Sequence, residues 1–324
     1  MGMKLGIVGT GMIVRDLMQT LHKVRLEQLA IWGRDQAKTA QFAAEQGILQ
    51  VFSDYAAMLN SDLDTIYIAL PNHLHFSFAK QALEAGKNVI MEKPITSNTD
   101  EFNQLRQLAQ TQGVILIEAV TVHYLPAYLA IREKVAELGE IKIVSLNYSQ
   151  YSSRYDRFKA GETLPVFDPQ KSGGALMDLN VYNVHFAVGL FGKPQSCTYA
   201  ANIQRGIDTS GILLLDYPQF KAVCIGAKDC AAPVMLSIQG DKGNITVPMP
   251  ANAMNRFTYT PNQGEAQHFE FGDVHRMLPE FERFVDIVDR KDFAQAEKML
   301  DISAAVSEVI EQARKGAGIR FAGE

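Results

Sequence analysis

Lys4-Leu5-Gly6-Ile7-Val8-Gly9-Thr10-Gly11-Met12-Ile13-Val14 is the stretch on which the reading of the chain turns. An apolar run, Leu5 to Val8, breaks at Gly9-Thr10-Gly11, and apolar residues resume at helical spacing through Met12, Leu17 and Leu21. This is the pattern of a buried parallel strand turning tightly into a helix. Such a turn aims unpaired backbone N–H groups and the positive end of the helix dipole at one point, which suits a pyrophosphate. Glycines at 9 and 11 remove the Cβ atoms that would block close approach. Val14 stands where the dinucleotide fingerprint has its third small residue, so the motif alone is weak and its context decides.

The context is an alternation. Gln28–Trp32 reads as a second strand ending at Gly33-Arg34, and Asp35 caps a helix that runs to Gln46 and stops at Gly47. Thr65–Leu70 is a strong strand ending in Pro71-Asn72-His73-Leu74-His75, with Asn72 read as the cap of a helix to Ala85. Asn88–Met91 breaks at Glu92-Lys93-Pro94, a helix covers Thr99–Gln110, and Val114–Ala119 is the next strand. Strands alternating with helices through short glycine-marked joints predict a doubly wound parallel sheet, whose ligands bind at the carboxyl ends of the strands. Gly9-Thr10-Gly11, Gly33-Arg34, Pro71-Asn72 and Glu92-Lys93-Pro94 all fall at such ends.

The second strand's end is where a dinucleotide domain reads the adenosine ribose. An acid there accepts from the 2′-hydroxyl of NAD. Here that position holds Gly33, followed by Arg34, and a missing negative charge with an adjacent guanidinium favours the 2′-phosphate of NADP. The competing reading is that Arg34 is a solvated loop residue and Asp35 reaches the ribose, which restores NAD.

From about Val122 the rhythm changes. A helix over Leu125–Leu138 leads into a long alternating strand, Lys142–Tyr151, then a polar aromatic loop, Ser152–Ser172. Gly173-Gly174 opens a helix that ends near Phe191-Gly192, and Gln195–Phe271 reads as successive strands with turn signals between them. Without intervening helices, that sheet is expected to be open and mostly antiparallel. Two helices, Leu278–Asp289 and Phe293–Lys315, close the chain. The fold class is therefore α/β, with domains at 1–121 and 122–324, the closing helices being placed to return to the first.

Composition excludes several classes. A 324-residue chain with 47% hydrophobic and 21% charged residues is an ordinary globular composition with room for two domains. A net charge of −5 leaves no basic footprint for nucleic acid or an anionic membrane. The longest apolar candidate, Gly113–Val122, contains Glu118 and is too short to span a bilayer. A first strand at residue 4 leaves no room for a signal peptide, and Gly6 does not suit myristoylation. Cys197, Cys224 and Cys230 match no metal spacing and read as buried, reduced thiols of a cytoplasmic protein; no metal is expected.

Lys93 ends a buried strand just before Pro94, so its ammonium points into the crevice, where partial desolvation lowers its pKa toward an acid–base range. The alternative is a lysine that binds cofactor phosphate or pairs with Glu92. Asp178 and Tyr182 are four apart on one helix face, with His185 a turn further. A phenol beside a lysine can pass a proton to a substrate oxygen, and a carboxylate can orient the substrate or hold the lysine charged. Tyr182 reads equally as a half-buried packing aromatic, and His185 as a core histidine.

Together these residues resemble the glucose–fructose oxidoreductase, inositol dehydrogenase and rhizopine-catabolism (Gfo/Idh/MocA) family. The resemblance covers essentially the whole chain. It rests on the Gly9–Gly11 turn, Pro71-Asn72-x-x-His75, Glu92-Lys93-Pro94, Glu118-Ala119 and Gly173-Gly174-x-Leu176-x-Asp178-x-x-x-Tyr182. It implies an N-terminal Rossmann domain and a C-terminal α/β domain whose open sheet makes dimers, so a homodimer or homotetramer is expected. It implies hydride transfer between a nicotinamide and a hydroxyl- or carbonyl-bearing carbon of a sugar, polyol or cyclic diol, in the tyrosine-bearing branch that resembles the dihydrodiol dehydrogenases and tends to use NADP. Lys93, Tyr182 and Asp178 match the family's catalytic positions. Gly9, Thr10, Gly11, Met12, Ile13, Arg34, Leu70, Pro71, Asn72, His75, Glu92, Lys93 and Ala119 form the expected cofactor contacts, with Arg154 and His185 as candidate substrate contacts. Two residues depart from the pattern: Val14, and Asn180 in place of the usual glycine after Asp178, where substrate contact could change. Two other functions are compatible with the scaffold, an NAD-dependent glycoside hydrolase with no net redox change and a non-catalytic dinucleotide or sugar sensor.

Overall fold

The computed structural model describes residues 2–324. The chain forms two compact units. One takes the chain up to Ala119 together with Met277–Ala304, and the other takes Val120–Arg276 with Ala305–Glu324.

The first unit alternates as its sequence pattern implies: β1 Lys4–Val8, α1 Met12–Leu21, β2 Gln28–Trp32, α2 Gln36–Gln46, β3 Gln50–Val51, α3 Tyr55–Leu59, β4 Thr65–Ile68, α4 His75–Glu84, β5 Asn88–Glu92, α5 Thr99–Gln112 and β6 Leu116–Ala119. Among the described residues these strands make one six-stranded sheet, all parallel, in the order β3-β2-β1-β4-β5-β6. The order reverses at β1, so the crevice that binds ligands in such sheets opens beyond the ends of β1 and β4. Burial on both faces explains the unbroken apolar runs: Leu5, Ile7, Val8, Ile66, Tyr67 and Ile68 are fully buried.

Local chemistry sets the helix ends. Asp35, Asp54 and Asn98 cap α2, α3 and α5 by accepting from backbone N–H groups three residues on, and Gly47 and Gly113 close α2 and α5 in the left-handed region. Asn72 is different. It lies in a 3₁₀ turn, Asn72–Leu74, and α4 begins only at His75 without a side-chain cap.

The second unit opens with α6 Pro126–Lys134, β7 Ile141–Ser149 and α7 Tyr155–Lys159, the last lying inside the stretch read as a plain loop. Then come α8 Val181–Phe191, β8 Ser196–Gln204, β9 Ile207–Asp216, β10 Lys221–Ala227, β11 Met235–Gly240, β12 Gly243–Val247, β13 Arg256–Pro261 and β14 Gln267–Glu270. The eight-stranded sheet has the order β14-β13-β12-β11-β7-β10-β9-β8. It is antiparallel except where β10 pairs parallel with β7. One face is a core of Val144, Leu146, Leu213, Leu215, Cys224, Leu236 and Ile238. The other face leaves Ile143, Ile212, Leu214 and Met235 exposed.

The helix expected after Gly173-Gly174 starts with a wider π turn, Leu176–Asn180, before α8 takes over at Val181. Helices α9 Leu278–Arg290 and α10 Phe293–Gly316 follow β14. Within the first unit, Phe281 of α9 meets Tyr67 edge to face at 5.2 Å, Leu300 joins the hydrophobic core, and Arg106 ion-pairs with Glu297.

Candidate active site

The crevice of the first unit is built by three strand ends. After β1, the Gly9 N–H donates to Trp32 O (2.9 Å) and the Ala69 N–H to Val8 O (3.0 Å), which carries the pairing of β1 with both neighbours past its last residue. Gly9 has φ +117°, and a Cβ there would run into the Ala69 carbonyl, so the turn requires glycine. Gly11 is the N-cap of α1, and no described side chain caps the helix or places an acid in its first turn. A Cβ on Gly11 would meet none of the described residues within 4 Å. The helix end therefore turns its positive potential toward open space, which fits a dinucleotide pyrophosphate. Met12 stands exposed at this mouth, while Val14 is fully buried, so the departure from the fingerprint is absorbed by packing.

At the end of β2 the two candidates for the ribose separate. Asp35 is committed to its own helix: Oδ1 accepts from the Lys38 N–H (3.0 Å) and Lys38 Nζ stands 3.6 Å from the carboxylate. That backbone hydrogen bond, with Lys38's charge, holds the Asp35 carboxyl below its ordinary range. Arg34 is exposed beside it. The carboxylate that would select NAD is thus occupied, and the guanidinium that would select a 2′-phosphate is presented to solvent.

At the ends of β4 and β5 the site is braced. His75 is buried, with Nδ1 2.9 Å from Pro94 O and Nε2 2.8 Å from Leu70 O. It ties the Leu70-Pro71 turn to the Lys93-Pro94 turn and contributes by holding them together. Burial lowers its pKa, against the opposing pull of those two carbonyls. Glu92 is also buried; its Oε1 accepts from Tyr67 Oη (2.6 Å) and its Oε2 from the Lys93 N–H (3.3 Å). Glu118 Oε1 accepts from the Ile95 N–H (2.9 Å) just past the cis Lys93–Pro94 peptide. Both acids thus hold the backbone on either side of Lys93, which is itself half-buried, as are Thr10, Ile13, Leu70, Pro71 and Asn72. Ala119 is buried.

The second unit positions Asp178 and Tyr182 on one stretch of helix against one face of its sheet. Register explains how. Gly226 on β10 pairs with Tyr148 on β7, and Lys228 lies two residues on from Gly226, so all three point to the same side. The helix meets them in order. Asp178 accepts from Lys228 Nζ, Asn180 sits over Gly226, and the Tyr182 ring lies 6.3 Å from that of Tyr148. A Cβ on Gly226 would fall 2.7 Å from Asn180 Cβ, so the glycine makes room for the π turn. Asn180 is fully buried; its Nδ2 donates to Cys224 O (3.0 Å) and its Oδ1 accepts from Asn183 Nδ2 (2.9 Å). This side chain serves the sheet, which corrects the expectation that it could alter substrate contact.

The start of that helix is anchored by Asp208, fully buried on β9, whose Oδ2 accepts from the Leu176 N–H (2.7 Å) and from Tyr199 Oη (2.7 Å). Burial pushes its carboxyl pKa up against those hydrogen bonds. Gly174, at φ +105°, passes so close to Asp208 that a Cβ would collide with the carboxylate. His185 is buried, with its Nδ1 3.0 Å from Nε2 of buried His123, so within the second unit it faces a packed histidine pair. Arg154 is half-buried at the start of α7.

Lys228, Asp208 and His123 were not singled out in the sequence. Lys228 had a signal of the same kind as Lys93, a lysine directly after an apolar strand. Among the described residues no cluster of three or more His, Cys, Asp or Glu could hold a metal ion, and no helix is long and apolar enough to cross a membrane.

Comparison with known proteins agrees with this geometry. Residues 3–120 match the family described as "Oxidoreductase family, NAD-binding Rossmann fold", and residues 128–246 match the "GFO/IDH/MocA C-terminal domain". The chain is 32% identical over 327 residues to scyllo-inositol 2-dehydrogenase (NADP(+)) IolU of Bacillus subtilis, covering 98% of each. It is 34% identical over 221 residues to D-xylose 1-dehydrogenase (NADP(+)) 2 of Haloferax volcanii, covering 66% of each. Among solved structures, the 3-ketoreductase KijD10 of Actinomadura kijaniata in complex with NADP and TDP-benzene shares the fold, with a TM-score of 0.83, 21% identity and 98% of each chain covered.

Proposed function

The chain belongs to the GFO/IDH/MocA oxidoreductase family, and from that premise we propose that it is an NADP-dependent oxidoreductase interconverting a hydroxyl and a carbonyl on a sugar, polyol or cyclic diol. The observation that carries this reading is the presence in one chain of an amine ending β5, Lys93, and a carboxylate and phenol on one helix face, Asp178 and Tyr182. When bound, the nicotinamide supplies the hydride acceptor, or the donor in the reverse direction. The chain's residues do the rest. The β1–α1 turn holds the pyrophosphate and Arg34 takes the 2′-phosphate. Lys93 and Tyr182 move the hydroxyl proton, and Asp178 accepts a hydrogen bond that orients the substrate. Oxidation balances as carbinol plus NADP⁺ giving carbonyl, NADPH and one proton.

The preference for NADP is supported by the engagement of Asp35 with Lys38 beside an exposed Arg34. The substrate class is supported by relatives named for scyllo-inositol and D-xylose. The test is a titration of NADPH against NADH, followed by turnover with scyllo-inositol, D-xylose and a trans-dihydrodiol. Tighter NADPH binding and turnover of at least one of them is expected. Release of a sugar leaving group without net change in the cofactor would replace this reading with glycosidic cleavage.

We also propose that two copies pair through the open face of the eight-stranded sheet. On that face Ile212 stands opposite Ile225 and Leu214 opposite Val223, and Ile143 and Met235 are exposed beside them, which leaves an apolar patch in the open. A cytoplasmic location is our reading as well, supported by the free thiols of Cys197, Cys224 and Cys230, of which only Cys224 is buried as the sequence led us to expect, Cys197 being half-buried and Cys230 exposed.

A further inference from the structure

Asp178 has a buried counter-ion. Lys228 directly follows β10; its Nζ donates to Asp178 Oδ2, and the two side chains are 7% and 35% exposed. An ammonium this deep is tolerated only beside a compensating carboxylate. Its backbone is held on both sides, since the Lys228 N–H donates to Thr209 O (2.8 Å) and the Lys228 carbonyl accepts from the Ser152 N–H (2.9 Å). The neighbouring acid does not compete, because Asp229 Oδ2 accepts from Thr209 Oγ1 (2.7 Å) and Ser210 Oγ (2.9 Å). The ring of Phe167 flanks the ammonium at 5.9 Å. The helix turn that carries Asp178 is fixed two residues to either side, by Leu176 on Asp208 and by Asn180 on Cys224. The Lys228 side chain and the two helix anchors are buried, while the Asp178 side chain remains a third exposed.

We propose that Lys228 is a positioning residue for the reaction: by holding the Asp178 carboxylate in one orientation, it lets that group bind the substrate hydroxyl beside the reacting carbon. The inference rests on the functional reading above. A lysine that merely stabilises the fold would share the ion pair but not the kinetic consequence.

The test is a cycle of Lys228→Met, Asp178→Asn and the double variant in the full chain, with NADP⁺ and scyllo-inositol or D-xylose, whichever turns over. Lys228→Met should lower kcat/KM on the order of 100-fold, as a misplaced binding group does, and leave the NADPH Kd within about 2-fold. The double variant should be no worse than Asp178→Asn alone by more than about 3-fold, because the two act as a unit. Wild-type kcat/KM in Lys228→Met, or losses that multiply in the double variant, overturns the proposal. Melting curves of the same set need no substrate: Tm losses smaller in the double variant than the sum of the singles are expected, and strictly additive losses also overturn it. Should Lys228→Met fail to fold, Lys228→Arg keeps the charge and must stay within about 10-fold of wild type; a larger loss overturns the proposal. Absence of turnover by the wild type on every compound removes the functional reading and this role with it, while the melting cycle still reads the ion pair.

Discussion

Lys93 and Arg34 are the residues whose replacement separates chemistry from cofactor choice. Lys93→Ala removes a proton-handling group and should lower kcat/KM by about 10³-fold, within the usual range for general acid–base catalysis, with the NADPH Kd changed by no more than a few-fold. Stopped-flow fluorescence of NADPH binding beside steady-state rates checks this, and wild-type-like turnover would dismiss Lys93 as the proton carrier. Arg34→Ala should raise the KM for NADPH roughly tenfold, the worth of one charge-assisted hydrogen bond, and leave the KM for NADH unmoved. An equal change for both cofactors would return the ribose to Asp35. Both residues could be singled out because each follows a strand, and a strand's end is visible in its own sequence. Lys228 carries the same strand-end signal, but its pairing with Asp178, fifty positions away, is announced by nothing local to either residue.

Helix ends could be read wherever the signal was a single side chain, such as Asp35 or Asn98 capping, or a glycine such as Gly47 closing. The π turn could not. Its extra width is set by Asn180 lying on Gly226 of another element, so the same residues read alone as ordinary helix. Asn72 failed as a cap for a similar reason, since a 3₁₀ turn comes first and hands the helix start to His75. The Asn180–Gly226 fit gives a test at this scale. Gly226→Ala sets a Cβ 2.7 Å from Asn180 Cβ, and the overpacking should cost about 1–3 kcal/mol of stability and displace Asp178, lowering kcat. Restoring the family's usual glycine with Asn180→Gly should recover a part of both. Urea denaturation and kcat measured on the single and double variants check it, and failure of the second substitution to recover anything would place the strain elsewhere.

At the scale of the molecule, two properties can be measured without a substrate. His123 is buried, and that desolvation, followed by the neighbouring charges of His185 and Arg132, holds its pKa well below the ordinary 6.5. A depressed histidine takes up its proton in the unfolded chain first. Stability is therefore complete above pH 6.5 and declines as pH falls toward the folded value, by about 1.4 kcal/mol per pH unit for one such group. His123→Asn should flatten the loss of Tm between pH 7 and 5, and an unchanged slope would assign the acid sensitivity to another group. Leu214→Glu puts a charge into the apolar face of the sheet and should convert a dimer to a monomer by sedimentation velocity; an unchanged mass would place the interface elsewhere. The presence of two sheets, one parallel and one mostly antiparallel, was legible from strand–helix rhythm, whereas which sheet an amphipathic helix covers is not written in that helix.

Leu300 belongs to the core of the unit that begins with β1, and that has a consequence for biosynthesis. The nucleotide-binding half cannot seal its interior while the ribosome is still making the middle of the chain; it must wait, incompletely closed, until the segment carrying Leu300 has emerged. The second unit takes Ala305–Glu324 as well as Val120–Arg276, so a hybrid enzyme that exchanges substrate halves must graft both stretches, because a simple fusion after Ala119 would leave the dinucleotide half without Met277–Ala304.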